Sequence, residues 1–253
     1  SMYNRQIDLI MEKLAPHMRK YAKLIAKTGA NVQKGQEVLV YAELDQPEFV
    51  SMVCEECYKL GASKVTVEWS YQPLDKVNVN YRSLETMSKV ENWEVERLKH
   101  RLETLPASIY LLSEDPDGMK GIDQQKYSEA SRARYKIIKP FRDKMDNKYQ
   151  WCIAAVAGKK WAKKMFPELR VSAAVEKLWE AILFTSRITD DPVYSWGEHN
   201  RDLQGRCDYL NSLKIKKLKY SASNGTDLTV GMMDNAKFLG GREKTLGGVE
   251  YKP

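Results

Sequence analysis

The sequence predicts an α/β chain: a parallel, doubly wound sheet of flavodoxin or Rossmann type with extra helices, followed by an antiparallel β segment. Three observations carry this. Between Glu37 and Val156, four short apolar runs alternate with helical stretches, the pattern of a parallel sheet. After Val156 the runs give way to consecutive amphipathic helices. From Leu213 the apolar period becomes two around Asn224-Gly225, a strong hairpin signal.

The opening helix carries Ile7, Ile10, Met11, Leu14, Met18, Tyr21 and Ile25 on one stripe, with Pro16 expected to kink or split it. Glu37 to Ala42 is apolar on both faces and suits the middle of the sheet. Asp45 and Pro47 start a helix that runs to Leu60-Gly61. Lys64 to Tyr71 alternates: Val65, Val67, Trp69 and Tyr71 lie opposite Thr66, Glu68 and Ser70. One wet face predicts an edge strand. Helical sequence to about Leu105 leads to a third strand, Ser108 to Leu112. A helix over 123–143 then precedes a fourth strand, Tyr149 to Val156, apolar on both faces.

Val171, Ala174, Val175, Leu178, Trp179, Ile182 and Leu183 form the next helical stripe, with Ser172 as a candidate cap. Asp191-Pro192 opens a further helix through Trp196, Leu203, Cys207 and Leu210. Leu213 and Ile215 differ in parity from Leu218 and Tyr220, which predicts a bulge near Lys216-Lys217. The domains expected are 1–211, an amino-terminal α/β domain, and 212–253, the first strands of a second domain. A β segment this short cannot build its own core. It must lean on the first domain, pair with another chain, or belong to a larger unit.

Composition excludes several classes. At 43% apolar and 30% charged, the 253 residues read as soluble and globular. No apolar run approaches the roughly 18 residues of a membrane span. Ser1 before Met2 reads as a processing scar and is set aside. Four cysteines give no disulfide framework, so reduced thiols and a cytoplasmic setting are expected. The charge of +7 is spread along the chain. Its densest patches, Lys159, Lys160, Lys163 and Lys164, then Lys214, Lys216, Lys217 and Lys219, read as solvated faces, and no nucleic-acid module accompanies them.

Candidate chemistry is sparse. Cys54-Glu55-Glu56-Cys57 has metal or redox spacing, but the two thiols share a helical core stripe with Phe49, Val50 and Val53. The first strand-helix turn, Tyr41 to Glu48, holds no glycine, which argues against a phosphate-cradling loop and a flavodoxin-like small-molecule enzyme. Gly240-Gly241 is too short to signal alone, and no Gly-x-Ser-x-Gly or His-Glu-x-x-His is present. Of the three histidines, His17 and His100 stand in charged stretches, and His199 reads as a core or interdomain histidine. No catalytic, cofactor-binding or metal-binding residue is assigned.

Several segments, in order, carry a family resemblance. They are Trp151-Cys152-Ile153-Ala154-Ala155, Phe166-Pro167, Glu176-Lys177-Leu178-Trp179, Trp196-x-x-His199-x-x-x-Leu203, Leu210-Asn211-x-Leu213 and Gly225-Thr226-Asp227-Leu228-Thr229-Val230-Gly231. The spacing of Gly240-Gly241 and Gly248-Val249 before Pro253 fits as well. From about Tyr21 onward the chain resembles the thermophilic metallo-aminopeptidases of the aminopeptidase T and aminopeptidase S type. The resemblance implies a homodimeric exopeptidase that removes amino-terminal residues from peptides with two divalent ions, such as zinc, cobalt or manganese. It also implies that the metal ligands lie in the carboxy-terminal domain, first in an Asn-x-Pro-Thr-Glu-Glu-like segment after Pro253. This chain alone is then expected to bind no metal and to be inactive, with no nucleic-acid or membrane partner. The competing expectation is a non-enzymatic α/β binding module for an acidic ligand or partner, motivated by the +7 charge.

Overall fold

Burial, not propensity alone, organises the chain. In the computed structural model, which describes residues 2–253 (backbone only at Tyr3 and Asn4), the expected parallel sheet is present, while Ser1 lies outside the described residues. Its strands are β1 (Glu37–Glu43), β2 (Lys64–Ser70), β3 (Ala107–Leu112) and β4 (Trp151–Ala155), in the order β2-β1-β3-β4. All three pairings are parallel. The alternating β2 is an edge and the apolar β1 is interior, as their patterns require. β4 is the opposite edge despite its apolar run, and Ile153 on its open face is half exposed.

The even-numbered residues of β1 (Val38, Val40, Ala42) share a face with Val65, Val67, Ile109, Leu111, Cys152 and Ala154. Three helices close over it: α1 (Met2–Leu24), α2 (Pro47–Lys59) and α8 (Val171–Thr185). They contribute Leu14, Met18, Tyr21, Phe49, Val50, Val53, Val175, Leu178 and Trp179. The other face is more polar. Tyr41 stacks on Tyr110 with ring centroids 4.8 Å apart, beside Glu68. Between β2 and β3 run α3 (Gln72–Tyr81), α4 (Leu84–Ser88) and α5 (Asn92–Thr104). From α5, Arg97 (3.1 Å) and Arg101 both pair with Glu68. Next, α6 (Gln124–Met145) follows β3 and is capped by Asp123, whose carboxylate accepts from the Lys126 N–H at 3.0 Å. The lysine-rich α7 (Lys159–Met165) follows β4.

The chain forms two compact units. The first runs to Pro192 and includes Glu243–Pro253; the second is Val193–Arg242. The second holds α9 (Pro192–Ser212) from its second residue on, with β5 (Lys217–Ser221) and β6 (Asp227–Gly231) paired antiparallel. Tyr220, Leu228 and Val230 of this hairpin are exposed. In the first unit, β7 (Glu243–Lys244) pairs with β8 (Glu250–Tyr251). Tyr251 is buried edge-to-face on Trp151, 6.3 Å between centroids, and the Lys252 N–H donates to the Thr28 and Gly29 carbonyls.

Four local expectations are corrected. α1 runs unbroken through Pro16, because Leu14, Met18, Tyr21 and Ala22 around it are buried and outweigh one missing hydrogen bond. Ser172 does not cap α8: Arg170 occupies the cap, and Ser172 is buried within the first turn. No bulge sits at Lys216-Lys217. β5 starts at Lys217, and positive φ at Lys214 (49°) breaks the chain before it, so Leu213 and Ile215 precede the strand. At Asn224-Gly225 only Gly225 has positive φ (91°), in a loop over 222–226 closed by the Ala222 N–H on the Thr226 carbonyl. Asn224 Oδ1 accepts from the Thr226 N–H (3.1 Å) and hydroxyl (2.7 Å), so its side chain rather than its backbone makes the turn.

The four cysteines are free. Burial pushes the thiols of Cys57 and Cys152 up to about 12, whereas Cys54 and Cys207 are only partly buried. Thiol titration of unfolded protein without reductant should count four. Native protein at neutral pH should react first at Cys54 and Cys207, with Cys57 and Cys152 lagging about as far as global opening allows.

Candidate functional site

The strand order 2-1-3-4 reverses between β1 and β3, and ligands of open α/β sheets bind outside the carboxyl ends of the strands at such a reversal. Three loops meet there. Asp45 follows β1, Ser113 follows β3 and Gly158 follows β4. The Ser113 hydroxyl donates to Asp45 Oδ1 at 2.7 Å, and the Lys159 backbone N–H also donates to the carboxylate. Gly158 is required by this approach: a Cβ on it would lie 2.0 Å from the Ser113 carbonyl oxygen and 2.6 Å from Asp45 Oδ2.

Outside this junction lies a crevice of about 670 Å3 between α1 and the β1–α2 turn. Asp8, Glu12, Asp45 and Glu48 line it with one basic side chain, Lys159, and with apolar Ile7, Met11, Met52 and Val175. Burial raises the Asp45 carboxyl above its ordinary value, against the pull of Ser113, its own N–H and Lys159. Glu43, at the end of β1, is also raised by burial; the Gln72 N–H opposes this, while Glu114, Asp45 and Asp75 add to it. Gln72, at the start of α3 after β2, ties that turn to the loop after β3, accepting from the Asp115 N–H at 2.9 Å and donating to the Asp115 carbonyl at 3.2 Å.

The sign of the pH effect follows. A raised folded-state pKa means the folded chain binds the proton more tightly than the unfolded one. The stability this contributes is full below the ordinary 3.8 of Asp45 and is lost as pH rises through the raised value. Carboxyl-carbon NMR titration should place the Asp45 midpoint above 3.8. Ser113→Ala removes a donor to the ionised form and should move the midpoint up further.

Of the residues weighed from sequence, Lys159 lines this crevice, and the following lie elsewhere. Cys57 is in the core and Cys54 beside it on α2. His17 is exposed, and His100 is exposed and pairs with Glu37 at 3.0 Å. His199, partly buried, meets the Trp196 ring edge-on at 5.4 Å. Gly241 has φ 79° and sits against Asn200 and Leu203. Lys164 pairs with Asp117 at 2.7 Å, and Lys163 donates to the Pro167 carbonyl. Among the described residues, no group of three or more His, Cys, Asp or Glu could hold a metal ion, so the donor set here does not fit one. In sequence, Asp45 presents only as a helix start. The signal that could single it out is an acidic residue in the first strand-helix turn of a parallel sheet, a position that topology makes special.

No helix is long and apolar enough to cross a membrane among the described residues. The chain is 32% identical over 230 residues to aminopeptidase PepS of Streptococcus thermophilus, covering 90% of this chain and 55% of that protein. It is 32% identical over 222 residues to aminopeptidase AmpS of Bacillus subtilis, covering 87% and 54%. The solved structure of wild-type AmpT from Thermus thermophilus superposes with a TM-score of 0.85 at 30% identity, over 95% of this chain and 59% of that one. The chain thus spans a little over half the length of these relatives. The family model for thermophilic metalloproteases (M29) matches residues 14–253, and the chain belongs to that family.

Proposed function

We propose that this chain is the amino-terminal portion of a dinuclear-metal-dependent aminopeptidase that removes amino-terminal residues from peptides. The observation that carries the proposal is the M29 match over residues 14–253, together with relatives that are named aminopeptidases and of whose length the match covers 55% and 54%. In this reading residues 1–211 form a domain that shapes or covers the catalytic cleft. Residues 212–253 begin the catalytic domain, whose carboxylate and histidine ligands hold two divalent ions such as zinc, cobalt or manganese. No step is assigned to a metal on the residues described, since no donor group among them fits one. Free cysteines are consistent with a cytoplasmic setting, and the whole protein is read as a homodimer. Family membership favours this over a binding module for an acidic partner.

The test compares the 253-residue chain with the full-length protein, each dialysed and supplied with divalent metal. The full-length protein should release amino acids from peptides and lose that turnover to a chelator. The 253-residue chain should show neither turnover nor stoichiometric metal after dialysis. Turnover by the shorter chain would place the catalytic groups within it and overturn the proposal.

A further inference from the structure

We infer that the outward face of α6 docks an acidic polypeptide segment. The chain's formal charge of +7 is concentrated there: residues 132–148 hold seven Lys and Arg against Asp143 and Asp146, a net +5. Helix geometry then sorts these cations. Arg132, Lys136, Lys139 and Arg142 follow at intervals of four, three and three residues, with Tyr135 between, so they share one face. All five are exposed. The opposite face does the packing: Ala130 and Met145 are buried, and Arg134 pairs with Glu94 of α5 at 2.6 Å.

Two features separate this face from an ordinary solvated one. Elsewhere in the first unit cations are matched, as in Lys13 with Glu176, Arg97 with Glu68 and Lys164 with Asp117. Arg132 and Lys136 have no hydrogen-bond or ion-pair partner among the described residues, and at i,i+4 they repel each other. A carboxylate seated between them removes that repulsion. The second feature is preorganisation. The Arg142 guanidinium lies over the Tyr135 ring, 5.9 Å from its centroid, and Lys139 is tied to Asp143. An arginine held on a tyrosine loses less freedom when it binds. Arg and Tyr are also the residues that most often anchor protein interfaces.

From Arg132 to Arg142 the face is about 15 Å long, which an extended chain matches with about five residues. Carboxylate side chains suit it, because arginine takes them two-pronged and lysine as a point charge. Single-stranded nucleic acid is the weaker occupant. Such strands stack on several aromatic rings, and this face holds one, already engaged by Arg142. An anionic bilayer is weaker too, because the charged face has no exposed Leu, Phe or Trp to insert. This docking stands beside the aminopeptidase reading and does not rest on it.

Fluorescence anisotropy of the 253-residue chain with labelled hexaglutamate tests it, the peptide being capped at both ends so that no peptidase site is probed. Hexaglutamine, an oligothymidylate of equal charge and phosphatidylserine vesicles serve as comparisons. At about 50 mM salt hexaglutamate should saturate, hexaglutamine should not, and the affinity should fall as salt rises. Arg132→Gln with Lys136→Gln should weaken binding by about fivefold or more, and Arg142→Gln alone by about threefold. Lys214→Gln with Lys217→Gln removes the same charge from another exposed, basic stretch and should change affinity by less than about twofold. All the variants are surface changes, and circular dichroism checks their folding. No saturation by hexaglutamate would overturn the docking surface. So would equal losses in the two double variants, which leave only diffuse attraction to a basic protein. Tighter binding of the oligonucleotide or of the vesicles would overturn the acidic polypeptide as occupant.

Discussion

Trp179→Ala is expected to cost about 3–5 kcal/mol, the range for a buried aromatic lost from a packed core. Trp179 is fully buried on α8 and meets Phe49 of α2 at 5.1 Å and Tyr21 of α1 at 6.4 Å, both edge-on. Tyr21 and Phe49 stack at 5.4 Å, and the Tyr21 hydroxyl donates to the Ala155 carbonyl of β4 at 2.8 Å. One side chain therefore braces all three helices that close the core face, and through Tyr21 the edge strand as well. Its indole N–H, however, is buried without an acceptor among the described residues. Trp179→Phe deletes that unpaired donor while keeping an aromatic ring, so it should cost clearly less than the alanine change. Urea unfolding should show the ordering, with Trp179→Ala lowering the midpoint at unchanged slope. In thermal scans the loss should be about 10 °C. A cost below about 1 kcal/mol would mean that the core collapses freely into the space.

This aromatic brace was only half legible in sequence. The stripes that hold Tyr21, Phe49 and Trp179 were readable, since each repeats at helical spacing over several turns. Nothing in the periodicity says that three stripes share one side of a sheet, because that depends on strand order. The same division runs through the fold. β2 announced itself as an edge because its outer face carries Thr66, Glu68 and Ser70. The edge position of β4 was hidden by an apolar run that ordinarily marks an interior strand. Local punctuation failed where tertiary packing overrode it: at Pro16, on the exposed side of a helix whose other side packs on the core, and at Ser172, drawn into the core instead of the cap. The crevice was the least legible part. Asp45, Ser113 and Gly158 are far apart in sequence and each looks like ordinary loop chemistry. They become a site only because β1, β3 and β4 are parallel and end together. The family segments, by contrast, were legible without the fold, since their order along the chain carries the information.

The rigidity of that crevice sets the second large effect. Gly158→Ala is expected to cost about 3 kcal/mol, the upper part of the usual range for overpacking. Its φ of −69° is ordinary for any residue, so backbone conformation is not the cause. Crowding is: the new Cβ would meet the Ser113 carbonyl oxygen at 2.0 Å, and a backbone atom anchored at the end of β3 has little room to retreat. Relief must come from the β4–α7 loop moving outward, which would pull the Lys159 N–H away from Asp45 and loosen the junction with Ser113. Gly197→Ala makes the control, since it lies within α9 and a Cβ added there would meet nothing within 4 Å. There alanine should be neutral or stabilise by up to about 1 kcal/mol, through helix propensity alone. The two substitutions are chemically identical, so the opposite signs isolate the crowding at the switch point. Paired urea titrations measure them. If Gly158→Ala proves no worse than Gly197→Ala, the loops around Asp45 yield freely, and the preorganised junction argued from their geometry does not exist.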